Sequence, residues 1–212
     1  MTNTSKQPLS LVRLTVLAAT LGAAVLTSAC APVVLGGAVM GSAMSFTDRR
    51  TAGTQIEDEA IELKALPRIN ETVGERGHVN TTSYNRTVLI TGEVATEADK
   101  ATVERAVSRI ENVKAIVNEL AVAGKSSIGS RSNDAILTSK IKAAYIDAKD
   151  LQANAIKVVT ERGTAYLMGR VTEREAGRAA ELARATSGVS KVVRVFEILT
   201  EAELADLQPK TK

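Results

Sequence analysis

Cys30 is the sole cysteine of the 212-residue chain and His78 its sole histidine. Those two side chains bound the chemistry on offer. A single imidazole cannot join a second one as a metal ligand or as a partner in proton transfer. A single thiol makes no internal disulfide and no zinc-type thiolate set. The sequence contains no nucleophile elbow and no phosphate-binding loop. Gly36-Gly37 and Gly41 follow no strand and form no phosphate cradle. Glu173 and Glu175 read as the solvated start of a helix, where acids favour the dipole. His78, beside Gly77 at a predicted strand entrance, reads as a partly exposed turn residue. No catalytic residue, metal ligand or cofactor is expected. The remaining candidate for chemistry is the sulfur of Cys30.

The residues ahead of Cys30 give that sulfur a setting. Lys6 and Arg13 precede an apolar run, Leu14 to Ala29, that ends in small residues. A basic leader, an apolar stretch and a small-residue cleavage site form an export signal. Cys30 directly behind Ser28 and Ala29 resembles the lipobox of bacterial lipoproteins, with Thr27 where that motif usually carries Leu. The resemblance implies that Cys30 is acylated and becomes the new amino terminus, and acylation would consume an otherwise unpaired thiol. An uncleaved anchor and plain secretion are the alternatives. A lipoprotein terminus carries several acyl chains, each buried methylene worth about 0.8 kcal/mol, so such an anchor is permanent. Ala31 follows the cysteine rather than Asp, which by the same resemblance favours the outer membrane, facing the periplasm.

Beyond about Ser45 the chain becomes charged and mixed. It has no Trp, two Phe and three Tyr, and the overall charge is +3. That balance excludes a nucleic-acid partner, which needs a basic surface or stacking platforms. The remaining length fits one ordinary domain or two small ones that support each other.

An internal duplication decides between them. VNTTSYNRTVLITGEV (79–94) and IKVVTERGTAYLMGRV (156–171) align Gly92 with Gly169 and Val94 with Val171. Each is followed by a charged, alanine-rich stretch and then a β-branched run. Upstream, DEAIELKALPRI (58–69) answers NDAILTSKIKAAY (133–145), with Asp58 and Asn133 placed like helix N-caps. Val88, Ile90 and Val94 alternate with polar neighbours, the period of half-buried strands. Asn85-Arg86 and Arg162-Gly163 are hairpin turns, and a mid-strand glycine marks a bulge or a close backbone approach. Val103, Val107 and Ile110, and in the second copy Ala176, Ala179, Ala180 and Ala183, have helical spacing. The unit reads α-β-β-α-β, helices on one face of a small sheet.

That order, the mid-strand glycine and the tails VKAIVN and VSKVVR resemble the BON domain. With the lipobox and DRRTAGTQIEDEAIELK ahead of them, the two copies resemble the dual-BON outer-membrane lipoproteins of Gram-negative bacteria; SNDAI and LMGRVTEREA sharpen the match. The expected fold class is α+β, two tandem α-β-β-α-β BON domains, each a small mixed sheet with two helices packed on one face. The expected layout is a signal peptide (1–29), a lipidated tether (30–57), domain 1 (58–122), a linker (123–132), domain 2 (133–199) and a tail (200–212) with a short helix. The resemblance implies envelope maintenance and binding of anionic, phosphatidylglycerol-like phospholipid without catalysis, and an envelope-assembly or division protein as a possible partner. A protein-interaction adaptor without lipid recognition is the alternative. An ion- or small-ligand-binding module is a third reading, since some BON proteins of other architecture bind potassium.

Charge singles out the second copy. Residues 58–122 hold 8 Lys/Arg and 11 Asp/Glu, net −3, whereas 133–199 hold 11 and 8, net +3. Lys125 and Arg131 add to the basic side. In the first helix of that copy Leu137, Ile141 and Ala144 form the stripe that faces the sheet. Ile136, Lys140 and Ala143 form a second stripe beside it, an apolar side chain next to a lysine on a face the core does not need. The candidate phospholipid-binding residues are Arg131, Ile136, Lys140 and Ala143, with Cys30 the lipidation site. The resemblance agrees, since the second copy is the lipid-binding one in the dual-BON lipoproteins. Ile136 stands without an aromatic, so its insertion is shallow. The first copy shows Ile61, Ala65 and Arg68 on the matching face, so spacing alone does not separate the copies.

Overall fold

The computed structural model describes residues 48–207. The signal peptide, Cys30 and most of the tether lie outside them, as does the end of the tail.

Thr51 starts the first helix, α1 (Ala52–Val73), by accepting a hydrogen bond from the Thr54 amide at 3.1 Å, which satisfies one of the donors a helix start leaves free. Strands β1 (His78–Tyr84) and β2 (Thr87–Val94) form an antiparallel hairpin. Its turn residues, Asn85 and Arg86, both have positive φ (50° and 67°), the handedness that suits strand twist. Helix α2 (Glu97–Ser108), capped by Thr96, carries the chain back across the sheet. Strands β3 (Ala115–Asn118) and β4 (Ala121–Val122) then pair parallel with β2 on its other side.

The second copy repeats this: α3 (Ile128–Asp147), β5 (Ile156–Glu161), β6 (Thr164–Thr172), α4 (Glu173–Ala185) and β7 (Lys191–Leu199). The strand order is β5-β6-β7, antiparallel then parallel. A short helix, α5 (Glu201–Leu207), opens the tail. Each copy is therefore the expected α-β-β-α-β unit, with both helices on one face of its sheet.

Each copy has its own core. Ile61, Ala65 and Ile69 of α1 and Val103 and Val107 of α2 meet Val88, Ile90 and Val94. Ile141 and Tyr145 of α3 and four alanines of α4 meet Leu167 and Val171. A third cluster joins the copies: Tyr84 and Leu89 pack with Tyr166 and Met168, supported by Val117, Val159, Val193 and Val195. These residues alternate along their strands with the core residues, so they occupy the sheet faces turned away from the helices. The two sheets thus stack face to face, giving helix, sheet, sheet, helix. The half-buried reading of the hairpin strands fails on β2, where seven consecutive residues, Val88 to Val94, are buried. The partner sheet covers the face that alternation assigned to solvent.

Three further expectations change. Asp58 and Asn133 are not N-caps; Thr51 and Ser127 are, and the helices begin at Ala52 and Ile128. The stretch given to the tether is helical from Ala52, and the stretch given to the linker is helical from Ile128. His78 is partly exposed as expected, but it opens β1 rather than lying in a turn, with Nδ1 buried 3.5 Å from the carboxylate of Glu93.

Candidate functional site

The inner side of α3 determines what its outer side can present. Asp134, Leu137, Ile141 and Tyr145 are buried. The Asp134 carboxylate accepts from the amides of Arg162 (2.9 Å) and Gly163 (2.8 Å), fastening the β5–β6 turn. The Tyr145 hydroxyl donates to the Ala179 carbonyl at 2.9 Å, and burial pushes its pKa up. With that face committed to sheet and α4, the stripe a third of a turn away must face water.

Ile136, Lys140 and Ala143 lie on it, all exposed, and with Ala135 and Ser139 they line a shallow depression of about 450 Å³. Ile136 is 54% exposed, and Ile128 (79%) and Ile146 (72%) stand at the two ends of the helix. Lys140 and Lys142 make no ion pair with another described residue. Arg131 is exposed but turns back to the helix start, donating to the Ser126 carbonyl through Nε (3.3 Å) and Nη2 (3.0 Å). The structure therefore gathers three of the four residues and leaves Arg131 outside the depression. Ile128 and Ile146 escaped the sequence reading. Ile128 lies two helical turns before Ile136, a spacing visible once the helix start is moved from Asn133 to Ser127.

The matching face of α1 also changes. Ile61 and Ala65 are core residues, 2% and 0% exposed. The structure aligns Asp58 with Asp134, because each secures its own hairpin turn, and this slips the register by one residue. Ile136 then corresponds to Ala60, Lys140 to Lys64 and Ala143 to Pro67. The first copy has no apolar side chain of comparable size at the position of Ile136. The two copies differ at this face in shape as well as in charge.

Elsewhere the polar groups knit the two copies together. Arg49 forms a fork with Glu175 (2.7 and 2.8 Å) and donates to the Arg170 carbonyl (2.8 Å). Glu175 is buried, not a solvated helix start. It also accepts from the Thr172 amide in a capping box. Burial raises its pKa, but Arg49 and that amide more than offset the rise and hold it below the usual carboxylate value. Asp58 behaves the same way. Burial works against its charge, yet Ser83 Oγ (2.6 Å), the Arg86 and Asn85 amides (2.8 Å each) and Arg50 (2.7 Å) hold its pKa down. Glu93 is fully buried, accepts from the Ser126 amide at 3.1 Å and has Arg162 3.8 Å away. Among the described residues no cluster of three or more His, Cys, Asp or Glu is arranged to hold a metal ion, and no helix is long and apolar enough to cross a membrane.

Two stacked copies of this unit define the class. The BON domain model matches residues 57–124 and 133–200, and the chain belongs to the BON-domain family with two copies. It is similar to the outer membrane lipoprotein DolP of Haemophilus influenzae, 37% identical over 186 residues that cover 86% of this chain and 95% of that protein. It is also similar to a 21 kDa hemolysin of Actinobacillus pleuropneumoniae, 32% identical over 70% of this chain and 78% of that one. Among solved structures, CdsD of the type III secretion system of Chlamydia trachomatis overlaps 69% of this chain and 98% of its own at 12% identity. Its TM-score is 0.28, too loose an overlap to bear on function.

Proposed function

We propose that this is a non-enzymatic lipoprotein of the outer membrane, facing the periplasm. Cys30 anchors it, and α3 of domain 2 binds anionic phospholipid in support of envelope integrity. The observation that carries the lipid reading is the exposed stripe of α3, where Ile136 stands beside Lys140, which has no ion pair among the described residues, between the exposed ends Ile128 and Ile146. An interfacial helix needs that pairing: apolar side chains enter the headgroup–acyl boundary while cations meet phosphate, each contributing about 1 kcal/mol near an anionic surface. The outer-membrane assignment is supported by the identity with the Haemophilus lipoprotein. Domain 1 serves as spacer and as a docking surface for an envelope-assembly or division protein.

The test is flotation of a chain trimmed to 42–212, which keeps every described residue, with phosphatidylglycerol or phosphatidylcholine vesicles across a salt series. Binding to phosphatidylglycerol that weakens with salt, and falls roughly tenfold in Ile136→Glu, is the expected outcome. Equal binding to both lipids, or to neither, removes the lipid reading and leaves the adaptor. For the anchor, Cys30→Ala in the full chain abolishes acylation; membrane fractionation and acylation as in the wild type overturn that assignment.

A further inference from the structure

Among the described residues strand β1 is the edge of its sheet, pairing only with β2. Alternate residues of an antiparallel edge strand turn their N–H and C=O groups outward. Ser83 belongs to the outward set: its amide donates to Glu62 Oε1 at 2.7 Å and its carbonyl accepts from Lys157 Nζ at 3.3 Å. Thr81 and Val79 follow at steps of two, so their backbone groups also face outward. Neither makes a hydrogen bond on that side with any described residue. Two open rungs therefore lie beside a plugged one.

A groove of about 410 Å³ runs along those rungs, with Leu63, Leu66, Ile69 and Val79 in its wall and Glu59 and Glu62 among its lining. Leu63 is 74% exposed and Leu66 57%, large apolar side chains that the domain's own core does not use. The repeat supplies an internal control. In the register that matches Asp58 to Asp134, Ile56, Leu63 and Leu66 become Ser132, Ser139 and Lys142. The fold therefore does not require leucines at these positions.

We propose that the β1 edge of domain 1 is a docking site for an extended segment of another protein, apolar at alternate positions and carrying Lys or Arg. The segment adds as a further strand on the rungs of Val79 and Thr81, gaining main-chain hydrogen bonds, and drops an apolar side chain between Leu63 and Leu66. Its length is about four residues, set by the plug at Ser83. Charge decides the occupant. Glu59 and Glu62 line the groove and no Lys or Arg does. Glu62 is already paired with Lys157 at 3.1 Å, so it is Glu59, without an ion pair among the described residues, that attracts a basic segment. A second copy paired edge to edge would instead bring Glu59 and Glu62 of both chains together, which is unfavourable. The site is independent of the lipid face on α3.

The experiment uses the full chain in lipid nanodiscs and two probes, an acetylated Lys-Val-Thr-Val-Lys amide and its Glu-Val-Thr-Val-Glu counterpart. The basic peptide is expected to shift the amide signals of Val79 and Thr81 and to slow their hydrogen exchange, with the acidic peptide roughly tenfold weaker. Thr81→Pro removes the outward N–H while leaving the ladder to β2, a placement an edge strand tolerates, and should abolish those effects. Leu63→Glu should weaken binding by roughly tenfold, and it decides the matter should the proline variant not fold. Three results overturn the proposal. The first is binding unchanged in the variants or absent at these amides. The second is a wild-type dimer that Leu63→Glu disperses. The third is loss of phosphatidylglycerol-vesicle binding in Leu63→Glu with no peptide effect on β1, which would assign the face to a membrane.

Discussion

Asp58 and Asp134 hold equivalent places in the two repeats, each a buried carboxylate on the first helix of its copy that accepts both backbone amides at the tip of the neighbouring hairpin. The turn amides would otherwise be unsatisfied beneath a helix, where each lost partner is costly. One residue thereby fixes how helix and hairpin meet.

Replacing Asp58 by Asn keeps the shape but turns one acceptor into a donor facing donors. The expected cost is about 3 kcal/mol, read by urea denaturation at neutral pH. The pKa values of Asp58 and Glu175 are both held below their ordinary range. Each carboxylate therefore stabilises the fold above its unfolded pKa, and that contribution is lost as pH falls through the folded value. Wild-type stability should decline below about pH 4, less steeply in Asp58→Asn. Parallel pH profiles would show that Asp58 titrates alike in folded and unfolded chains.

Arg49 and Glu175, with side chains 10% and 7% exposed, should be coupled by about 2 kcal/mol in a double-mutant cycle of Arg49→Met and Glu175→Gln. Removing Arg49 alone leaves a buried carboxylate without its cation. Additive losses in the cycle would mean the fork contributes nothing beyond its separate members.

Leu89→Ala opens a void between the sheets without touching either helix-covered core. The expected loss is about 3 kcal/mol. Calorimetry should then separate the melting of the two copies, whereas the wild type is expected to melt in one transition. A single transition shifted down as a whole would indicate that the polar links, Arg49 to Glu175 and Asn80 to Glu161, couple the copies by themselves.

A methyl group at Gly92 would sit 2.0 Å from the His78 carbonyl oxygen, at a φ of 110° that L residues avoid; at Gly169 it would sit 2.5 Å from the Ala155 carbonyl. Both alanine variants should be destabilised, Gly92→Ala the more severely and by more than about 3 kcal/mol. Equal losses would show that the carbonyl clash, rather than the dihedral, dominates.

The repeat, the element order and the hairpin turns were legible in the sequence because period and turn chemistry are local. Asn85-Arg86 and Gly92 announce themselves without tertiary context. What lay beyond reach was set by the second sheet. The spacing of Val88, Ile90 and Val94 marks one buried face of β2, and only the cluster that Leu89 joins with Tyr166 and Met168 of the other copy buries the second. Asp58 and Asp134 were concealed for a related reason. An acid near an expected helix start looks like a cap, and its true partners lie more than twenty-five residues ahead. The same misreading placed Ile61 opposite Ile136, and the slip hid the difference between the two helices. That Ile136, Lys140 and Ala143 share an exposed stripe was legible because the surplus stripe of a helix is visible in its own spacing; Arg131, chosen for charge alone, turns back to the helix start.

The attachment of residues 48–50 has a mechanical consequence. Arg49 is fixed to Glu175 and Arg170 of domain 2, while Arg50 next to it is fixed to Asp58 and stacked 4.2 Å above the Tyr84 ring of domain 1. A pull applied at Asp48 is divided between both domains at once. Several charge-assisted bonds must then fail together rather than in turn. Because Arg49 is held directly by domain 2, tension arriving at Asp48 reaches that domain without first unravelling domain 1.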